Sequence, residues 1–107
     1  MAVNTDKYDF RFREWDIHKG KYALVDQTRR ALNSIVLNIA EGANKNTDKD
    51  MRVYINRAHC SLDEVVSCLD CALDDGYLAK ENHNEVLQKV SSLAKRLRAF
   101  SCHLSMS

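Results

Sequence analysis

Between Gln27 and Gly42 the chain reads QTRRALNSIVLNIAEG, and its polar residues recur at a helical rhythm beside an apolar stripe. Gln27, Arg30, Ser34, Asn38 and Glu41 are three or four residues apart, so on an α-helix they rise along one face. Leu24, Thr28, Ala31, Ile35 and Ile39 keep the same rhythm beside them, while Leu32, Val36 and Leu37 widen the apolar surface. A helix this apolar does not face water all round. The polar ladder is therefore expected to be partly buried, with each group needing a hydrogen-bond partner on a neighbouring helix or subunit.

Downstream, Thr47 is a natural N-cap, and Asp48 and Asp50 put negative charge in the first turn after it. Met51, Ile55, Ala58, Leu62, Val65, Leu69 and Ala72 then alternate steps of four and three without a break. Gly76 supplies a C-terminal stop, although Asp74 and Asp75 suit the dipole poorly there. Asn82, with Glu85 three residues on, reads as a capped start for a last helix whose stripe is Val86, Val90, Leu93, Leu97, Phe100 and Leu104. The links at 43–46 and 77–81 are short, so consecutive helices should be antiparallel neighbours. The spacing predicts an all-α, up-and-down antiparallel bundle with helices over 21–42, 48–75 and 82–104. A shorter helical or irregular piece around 11–18, carrying Trp15, is expected to pack as a fourth element.

A chain of 107 residues is expected to form one domain, small enough that an incomplete bundle gains from oligomerisation. Charge announces no polyanion partner. Basic and acidic side chains number seven and six over residues 1–42, five and seven over 43–80, and four and two over 81–107, leaving a net +1. Any nucleic-acid site must come from a local patch or from repetition round an oligomer. The opening MAVNTDKYDF lacks the basic-then-apolar pattern of a signal peptide, and no run approaches the roughly 20 apolar residues of a membrane span. A cytoplasmic, reducing setting is expected, in which Cys60, Cys68, Cys71 and Cys102 stay free thiols. Cys68 and Cys71 form a CxxC inside a helix, without the further ligands of a structural zinc site. No acid/base pair, hydroxyl with a placed His, or phosphate loop occurs, so neither an enzyme nor a cofactor is implied.

The segment as a whole resembles the bacterial four-helix-bundle family first noticed in ribosomal-RNA intervening sequences, whose relatives include the accessory variability determinant of diversity-generating retroelements. The family pattern Q-x-R-R-A-x-x-S-I-x-x-N-I-A-E-G is met by Gln27, Arg29, Arg30, Ala31, Ser34, Ile35, Asn38, Ile39, Ala40, Glu41 and Gly42. Lys45 and Thr47 match its basic-then-hydroxyl turn, Tyr54 and Ile55 its aromatic-aliphatic step, and Ala58, Ser61, Leu62 and Glu64 its A-x-x-S-L-x-E signature. Val36 and Cys60 stand where many members carry Pro and Gly, and residues 1–20 are shorter than the family's first helix. The resemblance implies a non-catalytic RNA-binding accessory protein: a homopentamer that partners a reverse transcriptase. The alternative is a structural or protein-interaction homo-oligomer with no nucleic-acid role.

Two sets of residues are candidates. Gln27, Arg30, Ser34, Asn38, Glu41 and Glu64 read as a structural polar network, with Arg30 paired to Glu64 or Glu41, and Ser34 and Asn38 satisfying backbone groups. Low exposure of both Arg30 and Glu64 is expected. Direct RNA contact by the ladder is the competing reading. The cations free for phosphate contact are Lys19, Lys21 and Arg29 around the ladder helix, Lys45 in the turn, and Lys89, Lys95, Arg96 and Arg98 on the last helix. Taken one at a time, each is an ordinary solvated charge.

Overall fold

The computed structural model describes the backbone of residues 2–106 and the side chains of residues 20–106. Three α-helices follow in order, α1 (Ala2–Ala43), α2 (Asp48–Asp74) and α3 (Lys80–Ser105), and no strand occurs among the described residues. The element expected around 11–18 is not separate, because α1 runs through it. Gly20 is the only residue there that could break a helix, and a single glycine costs only about 1 kcal/mol in a chain without proline. The expected packing of Trp15 lies outside the described side chains.

Helix α2 begins as its sequence predicts. Thr47 has an extended backbone, and its Oγ1 accepts the Asp50 N–H at 3.1 Å. At the other end Gly76 takes φ +78°, which L side chains resist, and the backbone closes on itself. Gly76 N–H donates to the Leu73 carbonyl at 3.1 Å and Tyr77 N–H to that of Ala72 at 2.8 Å, the double bond of a Schellman ending.

Helix α3 starts at Lys80, two residues before the expected cap, and Ala79 precedes it with no side-chain cap. Asn82 therefore lies inside the first turn rather than capping it. The earlier start turns His83 inward to 6 % exposure, with its Nε2 2.9 Å from Oδ1 of Asp70 on α2. A tertiary contact that pins one helix end to its neighbour outweighs a local cap worth about 1 kcal/mol.

Helix α2 lies in the middle. Both α1 and α3 pack against it, and among the described residues they do not meet one another. Ala31 and Ile35 from α1, Ile55, Ala58, Leu62 and Val65 from α2, and Val90, Leu97 and Leu104 from α3 form the buried core. These are stripe residues of the sequence, and Met51, Leu69 and Leu93 pack around them half-buried. The layer leaves apolar edges open. Val25, Leu32, Val36 and Leu37 on α1 stay exposed, Val36 and Leu37 at 66 % and 67 %, as do Val86 and Phe100 on α3.

Gly42 shows how closely α1 approaches α2. It is buried, and a Cβ placed there would lie 3.1 Å from Cβ of Tyr54 and 3.4 Å from the Met51 carbonyl oxygen. Neither atom is the free end of a flexible chain. Gly42→Leu should cost about 1 to 3 kcal/mol by overpacking, read as a lower denaturation midpoint. A variant as stable as the parent would mean that the two helices stand further apart than this.

Candidate nucleic-acid interface

The polar ladder of α1 divides in two. Ser34 and Asn38 are half-buried against α2, whereas Gln27, Arg30 and Glu41 are exposed. Asn38 Nδ2 donates to the Ser34 carbonyl at 2.7 Å and to Ser34 Oγ at 3.1 Å. Ser34 Oγ lies 2.8 Å from Ser61 Oγ, and Ser61 Oγ donates to the Arg57 carbonyl at 3.1 Å. Since Ser61 commits its only hydroxyl proton to Arg57, Ser34 must be the donor between the two serines. The result is an ordered relay across the α1–α2 seam, from the Asn38 amide through both hydroxyls to a backbone carbonyl.

Arg30 does not join it, which corrects the expected pairing with Glu64 or Glu41, the latter being held by Lys45. Its guanidinium holds Asp26 at 2.7 Å, one helical turn back, with side-chain exposures of 80 % and 53 %, and Glu64 is also exposed. The ladder spans an arc of α1 that α2 reaches at Ser34 and leaves exposed at Gln27, Arg30 and Glu41. Arg30 lies at the uncovered end of that arc, where a local i,i+4 partner is nearest.

The candidate cations fare differently from one another. The side chain of Lys19 lies outside the described residues. Lys45 Nζ sits 3.0 Å from Oε1 of Glu41 and 4.9 Å from the centre of the Tyr54 ring, which Arg57 approaches at 4.8 Å. The hydrogen bond to Glu41 raises the pKa of Lys45 above the ordinary lysine value, so it stays charged at neutral pH. Lys89 lies 3.9 Å from Glu85. Lys21 and Arg29 border an apolar groove of about 370 Å³ that includes Val25, Leu32, Leu69 and Leu78. They, with Lys95, Arg96 and Arg98, are exposed and form no ion pair among the described residues.

A family model described as 23S rRNA-intervening sequence protein matches residues 8–99. The chain belongs to that family. No curated protein and no solved structure matches it. Within this member of the family, several residues of the sequence signature now have structural roles. Ser34, Asn38 and Ser61 build the relay, Gly42 permits the close approach, and Ala58 and Leu62 fill the core.

Sequence reasoning missed the α2–α3 seam. Ser101, 8 % exposed, donates through Oγ to Oδ1 of Asn56 at 2.7 Å and accepts from Nε of Arg52 at 3.4 Å. The signal was present as matched polar steps, Lys49, Arg52 and Asn56 on one helix and Arg98 and Ser101 on its antiparallel neighbour. Of the four cysteines, all free, only Cys68 is buried. Cys60 and Cys102 come together at the wall of one cavity with His59. Among the described residues, no group of three or more His, Cys, Asp and Glu is placed to hold a metal ion.

The relay gives a direct test. Ser34→Ala and Ser61→Ala should each cost about 1 kcal/mol, with a coupling of about 0.5 to 1.5 kcal/mol in the double-mutant cycle by denaturant unfolding. Strict additivity would show that the two hydroxyls do not share a bond.

Proposed function

We propose that this protein is a non-catalytic RNA-binding accessory protein that works as a homo-oligomer. The observation that carries the reading is the family match over residues 8–99, whose description ties the family to ribosomal RNA. The distribution of charge supports it. A net charge of +1 supplies little attraction for RNA as a whole, yet Lys95, Arg96 and Arg98 are exposed within four residues of α3 and have no acidic partner among the described residues. Repetition round an assembly would turn a weak patch into one that engages several phosphates. The open apolar edge of α1 supports assembly, since a monomer gains from covering Val25, Leu32, Val36 and Leu37.

In its most specific form the reading is a cytoplasmic pentamer that partners a reverse transcriptase, and the resemblance to retroelement accessory proteins alone supports that form. No described helix is long and apolar enough to cross a membrane. The second reading, a structural or protein-interaction oligomer without RNA, is favoured by the near-neutral charge and uses the same open edge.

Salt dependence separates the two. The assembled protein should retain RNA at low salt and lose it steeply as salt rises. Replacing Lys95, Arg96 and Arg98 with Gln should lower the log–log salt slope by about 2 on a single strand while helicity by circular dichroism stays constant. If the oligomer retains no RNA at low salt, with or without a reverse transcriptase, the structural reading replaces this one.

A further inference from the structure

On the far side of α2 from α1, two cavities of about 810 and 360 Å³ lie along the seam with α3, and Arg52 and Asn56 line both. Together they make one groove. Lys49 and Asn46 lie at one end and Arg98 at the other, and Asp48 is the only carboxylate among the residues lining either cavity. Lys49, Arg52 and Arg98 are exposed and form no ion pair among the described residues, unlike Arg30, Lys45 and Lys89. The fold therefore gathers three cations, against one carboxylate, around a floor of hydrogen-bonding groups.

That floor is ordered. Ser101 donates to Oδ1 of Asn56, which leaves the Asn56 amide N–H groups free to donate into the groove. Ser101 also receives Nε of Arg52 at 3.4 Å, which steadies the guanidinium and leaves its outer N–H pairs unused. The geometry points to a binding site for the phosphodiester backbone of a single RNA strand, running along the α2–α3 groove. This rests on the RNA-binding reading and names the surface that performs it.

Three arguments select that ligand. A guanidinium fork matches the paired oxygens of a phosphate, and two of them in one groove favour a string of anions over an isolated one. From Lys49 to the far end of the groove beside His59, α2 rises about 15 Å, room for several consecutive phosphates. A trough between two packed helices tracks one strand, whereas a duplex would need an element that projects into its grooves. No Phe, Tyr or Trp is among the described residues lining either cavity, and His59 stands only at its far end, so recognition is mainly electrostatic and tolerant of sequence.

The test is fluorescence anisotropy of a labelled single-stranded oligouridylate with the full chain over a range of salt. Arg52→Gln combined with Arg98→Gln should weaken binding about tenfold at low salt and reduce the salt slope by about 1.4. Lys49→Gln, whose side chain makes no intramolecular ion pair among the described residues, should reduce the slope by about 0.7 and guards against a folding artefact of Arg52. Arg57→Gln with Lys80→Gln removes the same charge at two exposed positions that line neither cavity and are not among the candidate RNA contacts. It should leave affinity within about twofold.

Equal losses from the two double variants, or a larger loss from Arg57 and Lys80, would overturn the groove while RNA binding itself stands. Duplex RNA of the same length binding as tightly as the single strand would also overturn it, as would polyglutamate competing as well as RNA at equal charge. Absence of any binding by the parent protein at low salt would overturn both the groove and the reading beneath it.

Discussion

Because α1 and α3 each pack on α2 and, among the described residues, not on one another, the architecture depends on α2 presenting apolar groups over a wide arc. Ile55, Ala58, Leu62 and Val65 do this at exposures of 2 % or less, and Ala58 allows the backbones to come close. The Ser34–Ser61 relay and Gly42 set the register of α1 on one side, and His83 with Asp70 sets that of α3 on the other. Removing a methyl-rich side chain from the middle of α2 would thus loosen both neighbours at once. The same dependence explains why the outer edges of α1 and α3 are bare: a layer centred on one helix has nothing to cover them with.

Much of this was legible in the chain. The stripe from Met51 to Ala72 names the α2 core almost residue for residue, and Thr47 and Gly76 mark its ends by mechanisms that act within a few residues. What escaped were features decided by which arc of each helix is covered. Periodicity puts Arg30 and Ser34 on one face, but only the position of α2 shows that Ser34 reaches Ser61 while Arg30 turns to Asp26. The start of α3 was misjudged for a related reason. Asn82 and Glu85 satisfy a local capping pattern, yet the buried contact of His83 with a residue on another helix moves the boundary two residues earlier.

Seen through its charges, the molecule divides its cations between structure and surface. Lys45 closes the α1–α2 turn with Glu41 and Tyr54, and Arg30 holds Asp26. The cations of the α2–α3 side, without ion pairs among the described residues, sit over a groove floored by Asn56 and Ser101, which the overall charge of +1 conceals. Net charge averages over the whole surface, whereas a polyanion responds to the local field.

The claim that joins these points is that the chain assembles through its bare edges and carries RNA when assembled. Multi-angle light scattering on the protein eluted at low salt, with absorbance recorded at the nucleic-acid and protein maxima, measures both together. The expected result is a mass that is a multiple of the 12.3 kDa subunit, with added single-stranded RNA eluting in the same peak. A single species of 12.3 kDa that leaves the RNA in a separate peak would contradict it.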